Sequence, residues 1–266
     1  MAAHGWRDTR ARIVWPRRWR GAFPAATAAN VSRYQDEPSS LTDDDFVHFR
    51  GVRELDMSMC SQRTITDGAF AHLAGIHTLN MRYCYQKTIT DGAFAHLAGI
   101  HTLDMSYCHQ ISDGAFAHLA GIHTLNMFGC SQATITDGAF AYLAGIHTLD
   151  MSWCWQATIS DGAFAHLGGI HTLDMRNCRQ ISDAAFVHLG GIHTLDMSYC
   201  WQDTITDTAF SHLSGIHTLV MWGCNQATIT DGAFAHLAGI RELDVRGCHQ
   251  LTDAAFAQLA GAVVHG

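Results

Sequence analysis

The chain has 266 residues, of which 48% are apolar and 15% charged, and its formal net charge is −8. This acidic balance argues against nucleic acid as the main partner, because phosphate binding requires a basic surface. No apolar run reaches the ~18–20 residues that a membrane span requires, so no membrane association is expected.

The N-terminal segment differs in charge from the rest of the chain. Residues 1–20 contain six arginines and one acid, Asp8, which gives a local net charge of +5 (six minus one). We predict that residues 1–24 form a poorly ordered basic arm and residues 25–50 a degenerate N-terminal cap. Within the cap, residues 31–35 are interpreted as a worn strand and residues 41–50 as the helical half of a repeat.

Nine copies of one unit follow over residues 51–261, and residues 262–266 remain as a short tail. Each copy begins at a glycine, and the copies are 22 or 24 residues long. The shorter copies lack two residues just after a glutamine, as after Gln110. Because the length difference is confined to one point, it indicates a surface loop. Nine tandem units of this length predict a solenoid in which stacked copies bury a continuous core.

Each copy has a strand half and a helix half. Leu79 and Met81 alternate with polar neighbours, which predicts a short strand with one buried face. Thr66 and Asp67 precede an apolar pair and can begin a helix, which Gly75 ends. The strands are predicted at Leu55, Leu79, Leu103, Leu125, Leu149, Leu173, Leu195, Leu219 and Leu243.

The strand spacing, the cysteine Cys84 and the helix start Ile89-Thr90-Asp91 resemble a known repeat class. It is the cysteine-containing subclass of leucine-rich repeats, as in F-box/leucine-rich-repeat proteins. The resemblance covers about residues 41–261. It implies an α/β leucine-rich-repeat solenoid that is curved, with parallel strands on the concave face and short helices on the convex face. It also implies protein binding, and many members are substrate adaptors of ubiquitin ligases. The segment before the cap is, however, too short for an F-box.

All nine cysteines occupy one column of the repeat: Cys60, Cys84, Cys108, Cys130, Cys154, Cys178, Cys200, Cys224 and Cys248. The resemblance implies that this position is buried. Side chains in one column point the same way, which disfavours disulfides, and no Cys-x-x-Cys spacing supports zinc. We therefore predict reduced, metal-free thiols, no cofactor, and a cytoplasmic or nuclear location.

The copied histidines and aspartates are interpreted as solvated columns rather than as a catalytic or metal site. A catalytic triad needs one unique arrangement with an activated nucleophile, and no copy differs from the others in that way. No enzymatic activity is therefore expected.

The copies differ mainly just after the strand and around the cysteine, where Trp, Tyr and Arg accumulate. These types are enriched at interface hot spots, although drift among young copies is the plain alternative. The predicted partner-binding residues are Asp150, Trp153, Trp155, Asp174, Arg176, Arg179, Asp196, Tyr199, Trp201 and Trp222. The predicted function is a protein–protein interaction module for a protein or peptide, with a basic one favoured by the acids. An adaptor of a cullin-type ubiquitin ligase is the narrower reading, and a spacer solenoid without a ligand is the alternative.

Overall fold

The computed structural model describes residues 16–32, 41–257, 259 and 261–266. The chain divides after Asn126 into two compact units, unit 1 before this point and unit 2 after it. Both units repeat a three-residue strand, a loop and a short helix. All nine predicted strands are present, each centred on the expected leucine.

Unit 1 is built on parallel strands that pair in chain order. Their register aligns equivalent positions, so that Leu79 lies beside Leu103. The strands are β1 (Ala28–Asn30), β2 (Glu54–Asp56), β3 (Thr78–Asn80), β4 (Thr102–Asp104) and β5 (Thr124–Asn126). The α-helices are α1 (Pro16–Ala22), α2 (Asp67–Phe70), α3 (Asp91–Phe94) and α4 (Asp113–Phe116), and 3-10 helices span Asp43–Phe49 and Ala95–Leu97.

Unit 2 follows the same plan. Its strands are β6 (Thr148–Asp150), β7 (Thr172–Asp174), β8 (Thr194–Asp196), β9 (Thr218–Val220), β10 (Glu242–Asp244) and β11 (Val263–His265). They pair in parallel and in chain order. The α-helices are α5 (Asp137–Phe140), α6 (Asp161–Phe164), α7 (Asp183–Phe186) and α8 (Asp207–Phe210). The 3-10 helices span Ala141–Leu143, Ser211–Leu213, Asp231–His236 and Asp253–Phe256.

The core of each unit consists of columns of equivalent apolar side chains. One repeat contributes eight of them, all at most 2% exposed: Ile100, Leu103, Met105, Cys108, Ile111, Ala115, Phe116 and Leu119. Burying one large apolar side chain stabilises a fold by roughly 1.5–3 kcal/mol. Because a single repeat cannot shield these groups alone, the columns hold successive repeats together.

The helices begin as predicted, but the aspartates do more than begin them. The hydroxyl of Thr206 accepts the backbone N–H of Thr208 and so caps α8. The first residue of the preceding helix, Asp183, accepts the N–H of Thr206 at 2.7 Å and its hydroxyl at 2.6 Å. Each such aspartate therefore fixes the cap of the next repeat. We call this series of bonds the Asp–cap chain.

Three terminal segments contain elements that the sequence analysis did not specify. Within the arm expected to be poorly ordered, α1 places Trp19 against Phe49, with ring centroids 5.8 Å apart. The cap contains the strand β1, whose Ala29 lies beside Leu55. Most of the strand expected at residues 31–35 lies outside the described residues. The expected tail contains β11, which pairs with β10. Residues 1–15 and 33–40 lie outside the described residues.

Within the part of the chain that the structure describes, every helix falls short of the length and apolar character that crossing a membrane would take.

Candidate partner-binding surface

The turn after each strand is built around the aspartate that ends it. Asp150 Oδ1 accepts the backbone N–H of Ser152 at 2.9 Å and its hydroxyl at 2.5 Å. Asp196 and Ser198 repeat this arrangement at 2.9 and 2.6 Å. A carboxylate that binds the backbone two residues on stabilises a tight turn. The turn therefore fixes where the following side chain leaves the backbone.

The residue after this turn has a left-handed backbone. In unit 2, Trp153, Asn177 and Tyr199 have φ angles of 61°, 58° and 59°. The other repeats of this unit have glycine there, namely Gly129, Gly223 and Gly247, with φ angles of 67°, 70° and 78°. This conformation costs a residue with a Cβ atom roughly 1–2 kcal/mol. All nine repeats share this left-handed backbone, so Trp153 and Tyr199 place large side chains at a position that suits glycine.

The predicted aromatic residues of unit 2 are exposed and partly paired. The rings of Trp153 and Trp155 have centroids 6.2 Å apart at 56°, and those of Tyr199 and Trp222 are 5.3 Å apart at 45°. Each of these side chains and Trp201 remain about a third to a half exposed. Large aromatic groups gain binding energy when a partner buries them. Their exposure leaves that area available.

Two arginines connect the acids and the aromatic rings. Arg176 Nη2 lies 2.7 Å from Asp174 Oδ2, and its Nε lies 3.6 Å from Asp196 Oδ2. The guanidinium carbon of Arg179 lies 5.1 Å from the centre of the Trp201 ring, which is a cation–π geometry. These contacts place five of the ten predicted residues in two groups that combine arginine with acids or with an indole.

The acids outnumber the cation on the strand side of this surface. Asp150, Asp174 and Asp196 occupy the same register position of β6, β7 and β8, and Arg176 lies beside two of them. Burial raises the pKa of Asp150 and of Asp196, and the neighbouring charge of Asp174 raises both further. A raised carboxyl pKa means that these surroundings stabilise the anion less well than water does.

Asn177, in the same repeat as Arg176 and Arg179, is 2% exposed. Its Oδ1 accepts a hydrogen bond from Arg179 Nε at 2.9 Å. No described residue accepts a bond from its Nδ2. Asn177 was not among the predicted residues, because an asparagine in a variable column gives no sequence signal of burial. Its contact holds the Arg179 side chain beside Trp201.

The structure brings the predicted residues together in small groups. Asp174, Arg176 and Asp196 form one group, Trp153 and Trp155 a second, Arg179 and Trp201 a third, and Tyr199 and Trp222 a fourth. We call these nine residues together with Asp150 the rim surface. Their role in binding stays a prediction.

The last repeat extends the rim surface by two residues that the sequence reasoning missed. The guanidinium carbon of Arg246 lies 5.6 Å from the centre of the Trp222 ring, and its Nη2 lies 2.5 Å from Asp244 Oδ2. Both residues fall in columns that had already been singled out. Extending the predicted set by one repeat along those columns would have included Asp244 and Arg246.

Unit 1 has an aromatic cluster of its own at equivalent positions. The rings of Tyr83 and Tyr107 are stacked, with centroids 4.5 Å apart at 7°. The guanidinium carbon of Arg82 lies 5.0 Å from the Tyr83 ring. The predicted partner-binding residues do not include this cluster, because they were chosen around the tryptophans, which are concentrated later in the chain.

The cysteine column is structural. All nine cysteines are buried and free. Cys224 Sγ, for example, donates to the carbonyl of Met197 at 3.1 Å. Burial raises the pKa of this thiol far above the neutral range. A thiol that does not ionise is a poor nucleophile and a poor metal ligand. Among the described residues, no group of three or more His, Cys, Asp or Glu could hold a metal ion.

The comparisons with known proteins concern this repeat architecture. The family model described as BspA type Leucine rich repeat region (6 copies) matches residues 32–147 and 133–261. No curated protein matches the chain.

Among solved structures, a chain of the TLR13–ssRNA13 complex is similar, with a TM-score of 0.68 and 20% identity over 90% of this chain. A chain of the Toll–Spatzle complex from Drosophila has a TM-score of 0.65 and 12% identity over 85% of this chain. Its glycosylated form has a TM-score of 0.56 and 12% identity over 90%. This chain spans only 35%, 34% and 39% of those chains, respectively.

Identities this low show a shared fold alone, and repeat proteins of this fold generally present extended surfaces for binding. The family match covers most of the chain, and its repeats coincide with the strand–loop–helix units of the structure. The chain therefore belongs to the family of BspA-type leucine-rich repeat regions.

Proposed function

We propose that this chain is a binding module that holds a protein or peptide partner on the rim surface of unit 2. The observation on which the proposal rests is the exposure of Trp153, Trp155, Tyr199, Trp201 and Trp222 beside half-buried acids. Aromatic anchors with few rotatable bonds bury much area at low entropic cost, and they dominate measured interface energies.

The backbone supports this proposal independently. Gly129, Gly223 and Gly247 show that this fold accepts glycine at the left-handed position. Trp153 and Tyr199 therefore add nothing that the turn itself requires, and they carry a conformational cost. A binding role gives a physical reason for such residues.

The charge of the rim surface favours a basic partner. Asp150, Asp174 and Asp196 are partly offset by Arg176, which leaves this group with a net charge of −2 (one minus three) at neutral pH. A basic segment would bring the missing cations, and its association would weaken as salt increases. The negative charge of this group disfavours the binding of nucleic acid, whose phosphates are also negative. Single-stranded RNA is nevertheless included in the experiment below, because a chain of similar fold was solved as a TLR13–ssRNA13 complex.

The direct test is selection of binding peptides from a random displayed library on the intact chain. Peptides that bind the rim surface should bind Trp155→Ala or Trp201→Ala more weakly by about 2 kcal/mol, while the thermal midpoint stays unchanged. Tyr142→Ala is the matched control, since Tyr142 is an exposed aromatic of the same unit in a helix outside the rim surface. Failure to select any peptide sensitive to these tryptophans would favour a spacer role, and preferential binding of single-stranded RNA would favour a nucleic-acid ligand.

A narrower form of the proposal makes the chain a substrate-recognition adaptor of a cullin-type ubiquitin ligase in the cytoplasm or nucleus. Its support is the resemblance of the cysteine-containing repeat to F-box/leucine-rich-repeat proteins, together with nine free thiols that suit a reducing compartment. The experiment is a binding assay with the small linker protein that joins F-box proteins to a cullin. No association would leave the general binding module as the surviving proposal.

A further inference from the structure

The last repeats already show how this surface holds a guanidinium group. Arg246 donates from Nε and Nη2 to Asp244, the aspartate that ends β10, at 3.0 Å and 2.5 Å. Its guanidinium carbon lies 5.6 Å from the Trp222 ring. A strand-end carboxylate and an indole therefore hold one arginine side chain between them, and Asp244 is almost completely buried in this arrangement.

The repeat that contains Asp150 has a strand-end carboxylate and two indoles but no arginine, and its indoles occupy other positions of the repeat than Trp222 does. Asp150 ends β6, and the indoles of Trp153 and Trp155 follow it within five residues. The position that is arginine at residues 176 and 246 is Ser152 in this repeat. The side chain that would satisfy the carboxylate from within the repeat is therefore missing.

The Asp150 carboxylate is only half used. Both bonds from Ser152 go to Oδ1. No described residue donates a hydrogen bond to Oδ2 or lies within ion-pair distance of it. Arg176 pairs with Asp174 and Asp196, and its charge acts on Asp150 only from farther away. In addition, burial raises the pKa of Asp150, whereas the hydrogen bond from Arg246 lowers the pKa of Asp244. The two carboxylates differ in the way expected of an open and a filled site.

The indoles beside Asp150 are also open. Trp153 is 44% and Trp155 49% exposed, and their rings are inclined at 56° rather than closed face to face. No described cation lies over either ring, although Arg179 and Arg246 lie over the rings of Trp201 and Trp222. An indole face is the best aromatic receptor for a guanidinium group.

The fold does not require an acid at this position. In unit 1 the equivalent residues Asn80 and Asn126 end their strands, and Asn80 Oδ1 accepts the backbone N–H of Arg82 at 3.1 Å. An asparagine thus maintains the turn without a charge. A half-buried carboxylate with a free oxygen needs a reason other than the turn.

We propose that Asp150, Trp153 and Trp155 form a binding subsite for an arginine side chain of the partner. This inference rests on the proposed function and specifies which chemical group the rim surface recognises. Arginine fits better than lysine, because a planar guanidinium stacks on an indole and donates two parallel hydrogen bonds to a carboxylate. The side chain that Asp244 and the Trp222 ring hold in the last repeats is likewise an arginine.

The test uses a short acetylated and amidated peptide of alternating arginine and glycine, titrated into the intact chain with tryptophan fluorescence as the readout. Its lysine counterpart is the comparison. The arginine peptide should bind several-fold more tightly than the lysine peptide, and Asp150→Asn should weaken its binding by about fivefold or more. Trp155→Ala should have a similar effect. The matched control is Asp104→Asn, the same strand-end position in unit 1, which should leave the affinity unchanged.

The asparagine variant keeps the test meaningful even if removal of a tryptophan disturbs the fold, because asparagine already occupies this position elsewhere. Equal affinity of the arginine peptide for the intact chain and for Asp150→Asn would overturn the subsite. The library selection gives a second test of the subsite. If the selected peptides lack arginine and lose affinity for Trp201→Ala but not for Asp150→Asn, the subsite is overturned and the proposed function is kept. Selection of arginine-containing peptides that lose affinity with Asp150→Asn would support both.

Discussion

The ring of Tyr199 lies directly over Gly223, so that a Cβ atom built on Gly223 would be 3.1 Å from Cδ1 of that ring. Tyr199 and Gly223 occupy the same left-handed position in successive repeats, with φ angles of 59° and 70°. One repeat thus supplies an aromatic ring and the next supplies the space for it. The sequence of a single repeat explains neither residue, because Tyr199 and Gly223 fit together only across two successive repeats.

The first prediction tests this fit. Gly223→Ala should lower the free energy of unfolding by about 1–2 kcal/mol, since alanine is strained at this φ and displaces the Tyr199 ring. Chemical denaturation measures the change. Gly168→Ala is the matched control, because nothing lies near its Cβ position, its φ is not positive, and equivalent repeats already contain alanine, as at Ala144. It should leave stability unchanged or raise it. Equal losses for both variants would contradict the prediction.

The strands and the core columns could be predicted from sequence because their signals are local and are repeated nine times. Leu79 and Met81 alternate with polar residues, and the same alternation recurs in every copy. The residues of the rim surface could also be predicted, since they differ between copies of the repeat whereas the core positions stay the same. Their grouping could not be predicted. Whether Arg176 pairs with Asp174 or with a ring depends on distances between repeats that no local pattern contains.

The terminal segments were harder to predict for a related reason. Trp19 packs on Phe49, but the 29 residues between them contain no complete copy of the repeat. The strand β1 has the sequence Ala-Ala-Asn, without the leucine that marks the other strands. It is recognisable only through its pairing with β2, because small residues have low intrinsic strand propensity.

The second prediction concerns the Asp–cap chain. Asp183 Oδ1 and Oδ2 accept two bonds from Thr206, so Asp183→Asn should lower the free energy of unfolding by about 1 kcal/mol. The matched control is Asp253→Asn. Asp253 also begins a helix, but no described residue donates a hydrogen bond to its side chain. The control should have no measurable effect in the same denaturation experiment, and equal effects would assign the loss to helix starts rather than to bonds between repeats.

The third prediction concerns the thiols. Burial raises the pKa of Cys248 to about 11, whereas the pKa of Cys178 and Cys224 is raised further. Because the thiolate is the reactive form, Cys248 should be the first cysteine modified by a thiol reagent in the native chain. Mass spectrometry of digested samples taken over time identifies the modified peptide. Cys248→Ser should remove the fastest phase of modification, and a fastest phase that persists in this variant would contradict the assignment.

The last prediction concerns the column of stacked histidines in unit 1. The ring centroids of His77 and His101 are 4.6 Å apart and those of His101 and His123 are 4.5 Å apart, with interplanar angles near 11°. The Nδ1 atom of His101 also lies 3.1 Å from Oγ1 of Thr102. Desolvation, and then the neighbouring rings His123 and His77, lower the pKa of His101. The folded state therefore disfavours the charged ring.

The sign of the pH effect follows from that direction. A histidine whose pKa is lowered by folding binds protons more readily in the unfolded chain, where its pKa is about 6.5. Its favourable contribution is present above pH ~6.5 and is lost as the pH falls through the lower folded pKa. The thermal midpoint should therefore decrease between pH 7.5 and pH 5.5, and His101→Asn should reduce that decrease. His72→Asn is the control, because His72 lies outside this column of stacked rings and contacts Arg50 instead. An equal pH response of the intact chain and of His101→Asn would show that the stacked rings do not cause it.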